Sequence, residues 1–81
     1  MSEKSIKVVS EFETESAAQF VQKASSFESN ILLKMDNKTA NAKSIMGLIS
    51  MMLTAGSEVV ISATGNDSDK AIEELAAFLA R

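Results

Sequence analysis

The chain has 81 residues, a net charge of −3 and a hydrophobic fraction of 46%, with four Phe and neither Trp nor Tyr. That length suits one domain, residues 1–81; folding hides only about 60% of a chain this small, so methyl-bearing side chains must supply a compact core. There is no Cys and no His, which excludes disulfides, thiol nucleophiles, imidazole bases and a Ser-His-Asp triad.

Ile6, Val8 and Ser10 alternate with Lys7, Val9 and Glu11, which predicts a first strand with one face inward. Ser16 is placed to cap a helix in which Ala17, Phe20, Val21, Ala24 and Phe27 form one stripe. Residues 30–35 carry the run Ile31-Leu32-Leu33, fit for a buried strand. Asp36-Asn37 turns the chain, and residues 38–41 return as a short polar strand at an edge. Residues 44–53 predict a second helix, with Gly56 just beyond it as the left-handed cap. Residues 58–64, with Val59, Val60, Ile61 and Ala63, form the clearest strand. Gly65-Asn66-Asp67 then leads into a last helix that turns Ala71, Ile72, Leu75, Ala76 and Leu79 inward. This order buries every apolar stripe most economically as an α+β open-faced sandwich, one small sheet with its helices on one face.

The second helix is apolar beyond what such packing needs. A helix on an open sheet buries a stripe of about 100°, which Leu48, Met51 and Met52 fill, leaving Ile45, Met46 and Ile49 at least partly outside. The patch suggests a docking surface, for which flexible Met is suited; a helix buried on two sides, as in a dimer, is the alternative. Ser44 reads as an ordinary N-cap. A phosphate there is also well tolerated, because free N–H groups and the positive helix end favour an anion and Lys43 lies next to it.

The segment Asn41-Ala42-Lys43-Ser44-Ile45-Met46-Gly47-Leu48, running on through Ser50, resembles the regulatory-serine segment of HPr, of the bacterial sugar phosphotransferase system, and of its catabolite-repression paralogue. Ala17-Ala18-Gln19-Phe20-Val21 is similar to the first helix of that family. Gly56, the strand from Glu58 to Ala63 and a closing amphipathic helix match the rest, from about Ile6 onward. The resemblance implies a four-stranded antiparallel sheet with three helices on one face.

It also implies that Ser44 is the acceptor of HPr kinase/phosphorylase. Lys43, Ile45, Met46, Gly47 and Ile49 then form the docking surface offered to a catabolite-control transcription factor. The family's phosphocarrier histidine lies in a Gly-Leu-His-Ala-Arg-Pro pattern before the first helix. Here the aligned residues are Glu11-Phe12-Glu13-Thr14-Glu15-Ser16, with Glu13 in the place of the histidine and Glu15 in that of the phosphate-supporting arginine. Three acidic side chains repel a phosphoryl donor, so phosphotransfer through this degenerate site is not expected. The catabolite-repression paralogue also lacks the histidine but keeps the arginine, which in the family faces the repressor; Glu15 weighs against that contact.

The expectation is therefore an HPr-like protein, regulatory rather than phosphocarrier, phosphorylated on Ser44 and binding a catabolite-control partner. The alternative is an unmodified docking module that binds phosphotransferase or metabolic enzymes. An enzyme is not expected, because the sequence offers no nucleophile–base pair, phosphate-binding Gly loop or metal cluster. No cofactor or metal is implied. The eight Lys and Arg are dispersed, unlike the basic stripe of a nucleic-acid binder. No apolar run approaches the ~20 residues of a membrane span, and Met1-Ser2-Glu3-Lys4 lacks signal-peptide character; a cytoplasmic protein is expected.

Overall fold

The computed structural model describes residues 2–9 and 12–80. Seven elements follow one another: β1 (Ser2–Lys7), α1 (Thr14–Ser25), β2 (Asn30–Met35), β3 (Lys38–Asn41), α2 (Ile45–Met51), β4 (Glu58–Thr64) and α3 (Ser68–Leu79). The strands form one sheet in the order β1-β4-β2-β3, with every neighbouring pair antiparallel. The α+β open-faced sandwich expected from the sequence is the architecture found.

Alternation along each interior strand decides which face is covered. Ile31 and Leu33 of β2, and Val59, Ile61 and Ala63 of β4, are buried. Residues directly opposite in an antiparallel ladder share a face, and Ile61 is paired with Leu33 and Ala63 with Ile31. Leu32 points the other way and is exposed. α3 packs on β1 and β4, α2 packs on β3, and α1 meets both other helices. Phe20 of α1 is fully buried between Phe12 and Phe78, edge-on to both, with ring centroids 5.9 and 5.5 Å away. Ala71, Ile72, Leu75, Ala76 and Leu79 of α3 all face inward as their spacing required.

Three boundaries differ from the sequence reading. β1 spans residues 2–7 and pairs with β4 from Ser2↔Ala63 to Lys7↔Glu58. Beyond Lys7 the ladder has no more partner strand. The Val8 N–H donates instead to the Ser57 carbonyl at 2.8 Å, and the Val9 N–H to Leu79 at 3.1 Å. Val8 is buried nonetheless, whereas Val9 is exposed; Ser10 and Glu11 lie outside the described residues. α1 begins at Thr14, so Ser16 sits in its first turn and is not its cap. The N-cap position is held by Glu13, whose carbonyl accepts the Ala17 N–H at 2.9 Å while its side chain makes no capping bond. α2 ends at Met51, with Met52 left-handed at φ 55°, so Gly56 does not close the helix. Gly56 does adopt φ 94°, but its N–H serves the loop before β4, donating to the Val8 carbonyl at 2.7 Å.

A polar junction ties two connecting segments of the sandwich together. Asp67 occupies the N-cap position of α3, yet its side chain makes no bond to its own helix. It accepts instead from the Glu28 N–H (2.9 Å), the Ser29 N–H (3.0 Å) and the Ser29 hydroxyl (2.5 Å), clasping the α1–β2 loop to the β4–α3 turn. Gly65 lets the two segments meet. At φ 151° and with Ser29 beneath it, an added Cβ would lie 2.7 Å from the Ser29 Cα. Ser29 is fully buried, and its hydroxyl leaves no donor stranded.

The Ser29 hydroxyl above all, and then the Glu28 N–H, hold the Asp67 carboxyl below the ordinary carboxylate range. A lowered folded-state value means that the stabilisation is complete above the unfolded value of about 3.9 and is lost as pH falls through the folded one. Asp67→Ala is therefore expected to melt at lower temperature than the wild type at neutral pH, and the difference should close as the solution is acidified. A difference that stays constant into strong acid would show that the charge on Asp67 is not what stabilises the junction.

Candidate functional site

α2 has seven residues and an internal glycine, Gly47. Isolated helices need roughly 12–15 residues to persist in water, and Gly lowers helix stability by about 1 kcal/mol relative to Ala. α2 therefore owes its existence to its surroundings. Leu48 and Met51 are buried beneath it. At its start the Ser44 backbone is extended (φ −114°, ψ 111°) and the side-chain oxygen accepts the Gly47 N–H at 3.2 Å. The Ser44 carbonyl accepts the Leu48 N–H at 3.1 Å. A Cβ on Gly47 would lie 3.4 Å from the Ser44 Oγ and 3.5 Å from the Ala40 Cβ, in ordinary van der Waals contact with the capping serine and with β3. Ser44 remains half-buried rather than sealed.

Lys43, expected in the docking surface, is half-buried and bonded within the fold. Its ammonium donates to the Phe27 carbonyl at 2.8 Å, and its own N–H donates to the Asn41 side-chain oxygen at 2.8 Å. The nearest cation in sequence to Ser44 is thus committed to the segment that leaves α1. Ile45 is half-buried against the core, and Gly47 is half-buried as well.

The exposed apolar surface is Met46 (72% exposed), Ile49 (42%) and Met52 (73%), residues three apart along one side of the helix and its end. The sequence reading turned Met52 inward with Leu48 and Met51; the structure turns it out. The reason is the end of the helix. Once Met52 adopts the left-handed conformation its side chain leaves the helical stripe, and the buried position beyond passes to Leu53. A left-handed residue with a Cβ costs roughly 1–2 kcal/mol, and nothing in the local sequence marks Met52 rather than Gly56 for it.

Glu13 and Glu15 both lie exposed where α1 begins. The intervening Thr14 is exposed too, so the start of α1 presents carboxylates to solvent with no cation close enough to pair with them among the described ion pairs. The chain has no histidine anywhere. No group of three metal-ligating side chains occurs among the described residues, and no described helix is long and apolar enough to cross a membrane.

The family model described as "PTS HPr component phosphorylation site" matches residues 3–81. The chain belongs to the HPr family. Among curated relatives, the HPr-like protein Crh of Bacillus subtilis is 49% identical over 63 residues, covering 78% of this chain and 74% of that protein. Among solved structures, the phosphocarrier protein HPr from Bacillus anthracis superposes with a TM-score of 0.93 at 39% identity, covering 96% of this chain and 95% of the other. HPr-C-His from Thermoanaerobacter tengcongensis gives a TM-score of 0.92 at 41% identity, over 98% and 91%. The family model therefore accounts for nearly the whole chain.

Removing the cap at Ser44 is expected to be mild. Ser44→Ala should lose about 1 kcal/mol of unfolding free energy in a urea titration, the ordinary effect of deleting an N-cap oxygen. Ser44→Asp, which restores an acceptor, should recover most of it. Equal losses in both variants would place the stabilisation in something other than the bond to Gly47.

Proposed function

We propose that this protein is a regulatory member of the HPr family that acts in the cytoplasm through phosphorylation of Ser44 and the binding of a catabolite-control partner. It does not relay phosphate through histidine. The observation that carries the reading is a combination within one chain: no histidine is present, while Ser44 is retained at the start of α2 beside exposed Met46 and Ile49.

The chemistry at Ser44 suits modification. Its oxygen serves as an acceptor for the Gly47 N–H, and a phosphoryl group replaces the hydroxyl hydrogen rather than that lone pair. Phosphorylation by ATP would add about −1.5 to −2 of charge at neutral pH. That charge would stand next to an apolar patch, and a partner able to read both needs an apolar groove bordered by Arg or Lys. The unmodified protein would offer the patch without the charge, which is a basis for discrimination.

Glu13 and Glu15 bear on the same reading. Exposed carboxylates at the start of α1 repel an incoming phosphoryl donor and leave no base of imidazole type to accept it. They also change what a partner approaching from α1 would meet, so the partner surface need not be the one used by relatives with a basic residue there.

Incubation with HPr kinase/phosphorylase and ATP, followed by intact mass measurement, tests the proposal. The wild type is expected to gain one phosphate and Ser44→Ala none. Absence of any gain, with the same enzyme active on a standard HPr, would rule out Ser44 phosphorylation and favour an unmodified docking module for phosphotransferase or metabolic enzymes.

A further inference from the structure

Sulfur chemistry in this chain is confined to its five methionines, since it has no cysteine. The four among the described residues divide sharply by exposure. Met46 and Met52 are largely open to solvent, Met35 is half-buried, and Met51 is sealed in the core. The two open thioethers stand on either side of Ile49 in the same patch. Met52 keeps its outward position in a left-handed backbone conformation at φ 55°, so its exposure is built into the end of α2 and not a matter of side-chain rotation alone.

We propose that Met46 and Met52 form an oxidation site, at which peroxide converts both thioethers to sulfoxides and makes the α2 patch polar while the core stays intact. The step is a two-electron oxygen transfer. The sulfur lone pair attacks one peroxide oxygen, the S–O bond forms as the O–O bond breaks, and the departing hydroxide becomes water as the proton on the transferred oxygen is lost. Sulfur is oxidised and hydrogen peroxide is reduced, so one peroxide and one thioether give one sulfoxide and one water. Met51 can follow only when α2 opens from the core, whereas Met46 and Met52 react in the folded protein. A sulfoxide is polar and chiral, and its desolvation opposes docking onto an apolar surface.

The effect on partner binding rests on the docking reading above; the selectivity of the chemistry does not. A negative kinase result on Ser44 would therefore leave the oxidation site standing, and unselective oxidation would remove that site without touching the case for Ser44.

The test treats the full chain with graded hydrogen peroxide, quenches with free methionine, and locates each added oxygen by peptide mass mapping. Retention on a hydrophobic-interaction column and the thermal transition are followed in parallel. Met46 and Met52 are each expected to gain one oxygen at about tenfold or more the rate of Met51, whose reaction requires opening, and ahead of Met35. The doubly oxidised protein should elute earlier and melt unchanged. A double variant, Met46→Leu with Met52→Leu, keeps the patch apolar and should show no peroxide-induced change in elution. Oxidation of Met35 or Met51 at the same rate, unchanged elution of the doubly oxidised wild type, loss of its thermal transition, or a wild-type elution shift in the double variant would each overturn the proposal.

Discussion

β4 is inserted between β1 and β2, and this placement constrains the connections on either side of it. Both neighbours run antiparallel to β4, so β1 and β2 run parallel to each other, and parallel strands cannot be joined by a hairpin. The chain between them has to cross, and α1 is that crossing. The same holds for β3 and β4, which flank β2 and are joined through α2. Both crossings lie on the face that carries Ile31, Leu33, Val59, Ile61 and Ala63. The opposite face of the sheet is left without helices, which is why Leu32 is exposed although its neighbours are buried.

The two crossing helices are not equally secure. α1 has twelve residues with Phe20 gripped between two other rings, whereas α2 has seven and depends on Leu48 and Met51 to hold it down. The ends of the crossings are fastened by bonds between distant segments. Lys43 reaches the Phe27 carbonyl across sixteen positions, and Asp67 reaches Ser29 across thirty-eight. Ser44 therefore sits at the start of the least self-sufficient helix, immediately after a residue moored to the segment that follows α1. A charge added there acts on a short element rather than on a rigid one.

Much of this was legible before any coordinates. β2 and β4 stood out as short apolar runs, although the run Ile31-Leu32-Leu33 did not show that Leu32 faces outward, and spacings of three and four gave the buried sides of α1 and α3, because these signals are local. Ser44 was legible as a cap for the same reason: capping joins a side chain to a backbone three residues on. The registers of β1 and the start of α1 were not, since Val8 and Ser16 fit the expected patterns and only the extent of β4 and the path of the loop decide otherwise. Asp67 looked like part of a turn, and its partner on the α1–β2 loop lies too far away in sequence for any local rule to find. At the candidate site, Ile45, Met46 and Ile49 were expected at least partly outside and are so, Ile45 half-buried and the other two exposed, while Met52 was expected inward and is exposed. Gly56 offered the obvious left-handed cap, and the choice of Met52 depends on Leu53 finding space in the core.

That choice couples two properties that are usually free to vary separately. A glycine at position 52 would relax the backbone at φ 55°, and it would also delete the outer third of the apolar patch in the same step. Selection for stability alone would therefore drift toward a smaller patch, and a lineage that keeps the methionine retains the larger surface at the expense of a tighter fold. At position 52 the reach of the α2 surface and the comfort of its backbone meet in one residue, so a change made there moves both.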